Sequence, residues 1–380
     1  MLAKGIQLTL LMGPVVPIPV PRVVLDALDS VEVTSAAGST SGFQLTFQIT
    51  AKSELNTIFL IAAGTNTSMA TPPLRVMLIV TLNGTPQPLF DGVMTKAEVQ
   101  PGSQGAPGTL TVTGEDLSKV MDMQDFSGLP LPAMPIEARV ALLCGKYAAF
   151  GLVPVVIPIL FPEVPNPIER IPAQKGTDLC YIREMADSVG YVFYIEPGPV
   201  PGNNIAYFGP EIKAGVPQPA LNVDMDALTN VESLSFSFDP TKGVLPVILI
   251  QNPLTRAPIP IPIPKINPLQ PPLGALPAPI ANLKILKDTA KLNLMQALSR
   301  GVAEAKESQD AVSGSGSLDV LRYGRMLKAR GLVGVRGAGI AYDGLYYVQS
   351  VTSTLKRGQF NQSFNLTRNG LVSITPRVPV

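Results

Sequence analysis

The sequence predicts a mainly β protein interrupted by one small mixed α+β segment. Three observations carry this. Apolar and polar residues alternate at period two through residues 23–118 and again beyond 221. Turn signals separate the runs, and helical spacing is confined to stretches within 119–212 and to 288–307. Many short strands at such spacing mark sandwiches or barrels. A chain of 380 residues has room for two or three domains of roughly 100–200 residues each.

Phe43, Leu45, Phe47 and Ile49 alternate with Gln44, Thr46 and Gln48, a strand with one buried face. Val76, Leu78, Val80 and Leu82 form another, closed by Asn83-Gly84, which supplies the positive φ angles of a tight hairpin. Leu89–Glu98 is the return strand, with a bulge expected at Asp91-Gly92, and Leu110 and Val112 mark one more. Near residue 119 the period changes. Ile136, Val140, Leu143 and Tyr147 predict a helix over 136–150 that stops at Gly151. A second follows Thr177-Asp178, with Thr177 as cap, Leu179, Ile182, Met185 and Val189 as its stripe and Gly190 at its end. Tyr191–Ile195 and Ile205–Phe208 read as a hairpin around Pro197, Pro199, Pro201 and Gly202. Strands return at Leu234–Phe238 and Val244–Ile250.

Residues 253–282 hold ten prolines, including the alternating Pro258-Ile-Pro-Ile-Pro-Ile-Pro264. Alternating proline argues against a regular ladder, so the segment is expected to be an extended polyproline II arm or loop. Ile259, Ile261, Ile263 and Ile266 are too apolar for a solvated linker and are the candidate interaction residues, lying on a neighbouring subunit. A helix is expected over 288–307, and Ser313–Ser317 reads as a flexible turn. Leu345–Leu355 and Phe360–Arg368 flank a hairpin loop at 356–359. Val348 and Val351 are out of phase, which places a bulge between them.

Composition bounds the function. The net charge of +1 offers no nucleic-acid-binding surface. Charged residues are 15% of the chain, against about 25% in an average protein, while apolar residues are 46%. Extensive interfaces are depleted in Lys, Glu and Asp, so much of the surface is expected to be covered by other subunits. No apolar run is long enough to span a membrane, so no direct membrane insertion is expected. Lys4 and the following leucines superficially resemble a signal peptide, but Pro14, Pro17, Pro19 and Pro21 and the lack of a cleavage site argue against one. Cys144 and Cys180 are too few for a disulfide framework and read as buried free thiols.

The chain contains no histidine. That removes Ser-His-Asp and Cys-His nucleophiles and histidine-bearing zinc sites, and two cysteines cannot make a four-thiolate site. Gly331, Gly334, Gly337 and Gly339 do not match a phosphate-binding spacing and read as glycines at a strand corner. Gly38-Ser-Thr-Ser-Gly42 puts Thr at the centre of a would-be nucleophile elbow, with no histidine to activate it. Asp224 with Asp226, expected on one strand face, and Glu115 with Asp116 are the remaining carboxylate pairs and read as solvated groups. Lys356 and Arg357 read as solubilising charges at a hairpin tip. No catalytic residue, cofactor or metal site is expected.

Tyr342-Asp-Gly-Leu-Tyr-Tyr-Val-Gln-Ser-Val-Thr-Ser353 followed by Lys356-Arg-Gly-Gln-Phe-Asn-Gln-Ser-Phe-Asn-Leu-Thr-Arg-Asn-Gly-Leu371 resembles the terminal hairpin of the phage late control protein D family and of related VgrG-like proteins. Ser353 or a neighbour stands where that family commonly has histidine. Phe90-Asp-Gly-Val93 with Thr109–Asp116 resembles the end of the family's first barrel. Lys175–Tyr191 resembles its next helix, and Phe208-Gly-Pro210 follows. The resemblance spans most of residues 25–372, and the proline-rich arm lies outside it.

The resemblance implies two tail-tube-like β-barrel domains bracketing a small mixed domain. They would be 1–118, 119–212 and 213–380, the last bearing the arm at 253–282 and the helix at 288–307. It implies a structural baseplate hub of a phage-tail-like contractile injection system: a homotrimer adapting a sixfold inner tube to a threefold spike. Implied partners are a separate trimeric spike protein, inner tube or tube-initiator proteins and baseplate wedge proteins. The implied location is a virion or tail-like particle assembled in the bacterial cytoplasm, whether released or membrane-anchored. The chain ends soon after the hairpin, so the spike is expected on another polypeptide. The alternatives are a tube-initiator or tube-capping protein, or a secreted β-rich hydrolase or carbohydrate-binding module. The absence of Trp, 6% aromatics and the lack of histidine disfavour the last two.

Overall fold

The computed structural model describes residues 2–3, 5–49, 73–102, 107–159, 171–251, 258–263, 271–286 and 310–375. The protein is mainly β. In the first part of the chain the strands are β1 (Leu2–Ala3), β2 (Ile6–Gly13), β3 (Ile18–Pro19), β4 (Leu28–Ala36), β5 (Gly42–Ile49), β6 (Arg75–Leu82), β7 (Thr85–Gln100) and β8 (Gly108–Asp116). A mixed unit follows, with helices α1 (Ile136–Gly145) and α2 (Asp178–Val189) and strands β9 (Leu152–Val156), β10 (Val192–Pro197) and β11 (Asn204–Gly209). The rest supplies β12 (Gln218–Asn222), β13 (Ser233–Phe238), β14 (Val244–Gln251), β15 (Pro258–Pro262), β16 (Gly274–Pro277), β17 (Asn282–Ile285), β18 (Val312–Asp319), β19 (Leu332–Arg336), β20 (Gly344–Lys356), β21 (Gln359–Arg368) and β22 (Gly370–Ser373).

The two β regions join in one 14-stranded sheet, whose main path runs β1-β2-β6-β7-β8-β5-β4-β20-β21-β18-β13. The junction is the antiparallel pair β4–β20, from Ser30↔Lys356 to Ala36↔Ser350. Among the described residues no closed barrel forms. One apolar core, from Ile6 through Phe47 and Val112 to Tyr346 and Leu366, serves both β regions. A second core, including Val140, Ile182 and Phe208, belongs to the mixed unit.

Local signals explain most elements. Asn83 and Gly84 both have positive φ, the geometry a two-residue hairpin needs. Thr177 Oγ1 accepts from Cys180 N, and Gly190 closes α2 in the left-handed region. The bulge near Val348 lies between Val348 and Ser350. The bulge expected at Asp91-Gly92 falls instead at two places on β7, one opposite Leu78/Ile79 and the other between Met94 and Lys96. The first expected helix ends at Gly145, with a short 3-10 turn over Ala148–Phe150 before the left-handed Gly151.

Three expectations are corrected. Ser313–Ser317 lies within β18 and is not a turn, because each glycine sits under an aromatic ring: a Cβ at Gly314 would lie 2.8 Å from Phe236 Cε1, and one at Gly316 2.8 Å from Phe364 Cζ. The Ile-Pro repeat is a strand, β15, paired antiparallel with β14. Ile263 N donates to Pro246 O at 2.9 Å. Since N–H directions alternate along a strand, the isoleucines face β14 and Pro258, Pro260 and Pro262 turn to the open edge, where no donor is needed. Asp224 and Asp226 lie in a turn with positive φ after β12, not on a strand. The helix expected over 288–307 lies outside the described residues, as does Ile266.

Cys144 is buried as expected, but Cys180 is exposed on α2. Burial, and then the charge of Asp178, push the Cys144 thiol up to about 12. A thiol-alkylating reagent at neutral pH is therefore expected to modify Cys180 and spare Cys144 until the chain unfolds. Equal labelling rates, followed by peptide mass spectrometry, would contradict this packing.

Candidate functional site

The register of the large sheet assembles a surface that no single segment reveals. Strands β7, β8, β5, β4, β20, β21, β18 and β13 lie side by side, each antiparallel to the next. Partners in register share a face. One face is the apolar core. On the other, β8 presents Thr109, Thr111 and Thr113, and β5 presents Gln44, Thr46 and Gln48. Thr352 and Thr354 of β20 stand beside Thr34 and Glu32 of β4. Asn361, Ser363 and Asn365 of β21 stand beside Asp319, Ser317 and Ser315 of β18. Ser233, Ser235 and Ser237 of β13 complete the row.

This face is exposed or half-exposed along all eight strands, yet most of its side chains are short hydroxyls and amides. Its charged side chains are Lys96, Glu98, Glu115, Glu32, Lys356 and Asp319, and Lys96 pairs with Glu98. The side chains also bond across strands. Thr34 and Thr352 hydroxyls lie 3.1 Å apart, Ser233 and Ser317 2.9 Å, and Ser235 and Ser315 3.0 Å, while Asn365 Nδ2 donates to Ser350 Oγ at 2.9 Å. Such cross-strand pairs tie down the side chains they join. A soluble surface is designed with about 25–35% charge; a wide wall made mostly of hydroxyls and amides is a different kind of surface.

One end of this wall opens into a cleft of about 1330 Å³ between the sheet and the mixed unit. Tyr194 stacks on Tyr207 with centroids 5.0 Å apart, and Arg330 lies 4.2 Å over the Tyr194 ring. Lys213 Nζ bonds Asp310 Oδ2 at 2.6 Å. Burial pushes the Tyr194 hydroxyl up, as it does the Tyr347 hydroxyl, on which nearby Glu211 adds to the effect. These groups clamp the unit to the sheet, and none is paired as nucleophile and base.

The sequence-level candidates are scattered. Asp116 is buried, accepts from Ser41 N and Ser118 N at 2.9 Å each, and has its pKa raised because desolvation outweighs those bonds. It is a structural brace, not the solvated group expected. Gly38–Gly42 is the turn between β4 and β5, where Thr40 Oγ1 accepts from Arg183 Nη2 at 3.0 Å. Gly337 and Gly339 take positive φ just after β19, as strand-corner glycines should. Arg357 donates to the Asp26 carbonyl oxygen. Ile259 is exposed, Ile261 half-buried and Ile263 buried, so the row expected to meet a neighbour turns progressively into its own subunit. Among the described residues no cluster of metal-ligating side chains occurs, and no helix is long and apolar enough to cross a membrane.

The same architecture occurs in solved structures. A tail protein from Neisseria meningitidis MC58 superposes with a TM-score of 0.61 at 12% identity, over 97% of this chain and 98% of its own. This chain has the fold of phage tail proteins. The prophage MuSo2 43 kDa tail protein from Shewanella oneidensis matches equally, with TM-score 0.61 and 12% identity over 96% and 99% of the two chains. A chain of the Francisella PdpA–VgrG complex matches all of this chain and 60% of its own length, with TM-score 0.58 at 8% identity. These structures are described as tail proteins and a VgrG complex, not as enzymes. No family model matches the sequence, and no curated protein matches it. The tail-protein fold thus spans the whole chain at identities where sequence alone is nearly silent.

Proposed function

We propose that this chain is a structural hub subunit of a phage-tail-like contractile injection machine, and that three copies close a ring whose bore is the polar wall. The observation that carries the reading is that wall: eight antiparallel strands, an apolar core behind, and hydroxyl and amide side chains in front with little charge to trap a passing polymer. Two strand edges support closure. Among the described residues β13 pairs only with β18, and nothing pairs with the far side of Thr95–Gln100 in β7. β13 reads Ser-Leu-Ser-Phe-Ser-Phe, with no proline or charge to blunt it. Exposed edges are normally guarded against strand addition, so an unguarded one is built to be covered. Because eight strands alternate in direction, β13 of one copy meets β7 of the next antiparallel, with the polar face kept on one side.

On this reading the ring joins a sixfold tube to a threefold spike. The test is the mass of the purified chain by light scattering, alone and co-expressed with the spike and tube subunits, with images of the same samples. A mass of three chains and a ring with a central hole is expected. A chain that stays monomeric in the presence of both partners would overturn the hub reading.

A further inference from the structure

The proline-rich arm at 253–282, which lies outside the sequence resemblance, belongs to a longer insertion. It joins β13 to β18 and, in its described residues, builds a separate small sheet of order β15-β14-β17. Its two faces differ. On one, Ile248 and Ile263 are buried. On the other, register places Leu245 beside Leu283, and Val247 between Ile285 and Pro262. Leu283 is 68% exposed and Ile285 59%, Pro260 and Pro262 are exposed, and none of these side chains is charged. Leu276 and Ile280 of the same insertion are also exposed. Contiguous apolar surface of this kind is rare on a monomer and marks a contact.

The β15 edge cannot take another strand, because prolines face it. The apolar face, which carries the exposed Leu283 and Ile285, is the surface suited to the contact. Position identifies the occupant. Phe238, at the end of the unguarded β13 edge, is six residues from Val244, so β14 starts within about 20 Å of that edge. A copy paired along β13 comes within reach of the platform, whereas a partner elsewhere on the particle has no such continuity. We infer that this face is an inter-subunit clamp that grips the neighbouring copy of the same chain, with Leu283 and Ile285 as its anchors. Ile263 and Ile248, both buried, hold the platform together from behind. The inference rests on the ring reading above.

The experiment uses the full chain co-expressed with spike and tube subunits. Leu283→Asp with Ile285→Asp should move the mass from three chains to one, while circular dichroism and the melting profile of the separated chain stay as in wild type. A photo-crosslinking residue at position 283 in the otherwise wild-type chain should give a covalent dimer of this chain, the neighbour's peptide being located by mass spectrometry. Retention of the three-chain mass by the double variant, or crosslinks only within the chain or only to spike or tube subunits, overturns the clamp and leaves the ring standing. A wild-type chain that never trimerises overturns both.

Discussion

Asp91→Ala is expected to destabilise the protein by about 3–5 kcal/mol, the usual consequence of removing one partner from a buried ion pair. Asp91 takes two bonds from Arg75, Nε at 2.8 Å and Nη2 at 2.6 Å, with both side chains at most 4% exposed. The guanidinium also donates to Val15 O at 2.9 Å and Gly202 O at 3.2 Å, and Asn204 Nδ2 donates to Asp91 Oδ2 at 2.7 Å. One cluster thus fastens the β6–β7 hairpin to the chain after β2 and to the β10–β11 hairpin of the mixed unit. Without the carboxylate, Arg75 keeps its charge in a dry site with only two carbonyls, and Asn204 loses an acceptor. Arg75→Met combined with Asp91→Leu should recover most of the loss, since two apolar side chains leave no buried charge. Urea unfolding of the three chains tests this. A loss below about 1 kcal/mol for Asp91→Ala would mean that the cluster is hydrated and weak.

How far the sequence discloses this molecule depends on the range of the signal. Asn83-Gly84, Thr177, Gly190 and the phase break at Val348 act on their own neighbours, and the structure has each where local chemistry puts it. The wall is a longer-range object. Gln44, Thr46 and Gln48 are visible as the polar half of an alternation. That they join Thr111, Thr352, Ser363 and Ser235 follows from strand pairing between residues up to about three hundred positions apart, which one strand's periodicity cannot encode. A signal was still present: most outward positions of these strands are Ser, Thr, Asn or Gln, where independent solvated strands would carry more Lys and Glu. The Ile-Pro repeat misled for a different reason. Proline costs a strand its donors on one side only, and at period two every missing donor falls on the free edge.

The Ser-Gly-Ser-Gly-Ser segment makes the same point and yields the sharpest contrast between neighbouring residues. Flexible small residues suggest a turn, but in β18 the two residue types face opposite ways. Serines line the wall, and glycines leave room on the core side for Phe236 and Phe364. A Cβ at Gly316 would collide with the Ser233 carbonyl oxygen and lie 2.8 Å from Phe364 Cζ. The ring can shift, but the carbonyl belongs to the β13 backbone and cannot rotate away without breaking the β13–β18 pairing. Gly316→Val is therefore expected to cost at least about 3 kcal/mol, the upper end of ordinary overpacking, and to free the β13 amides to hydrogen exchange. In the proposed ring β13 is the edge offered to the next copy, so the three-chain mass should be lost with it. Ser315→Val, one position away, points outward and forfeits only the bond between its hydroxyl and that of Ser235, while the Ser235 hydroxyl keeps its bond to the Ser315 carbonyl. A change of about 1 kcal/mol, with β13 still protected, is expected there. If both variants behaved alike, the alternation of faces along β18, and with it the placement of serines on the wall, would be wrong.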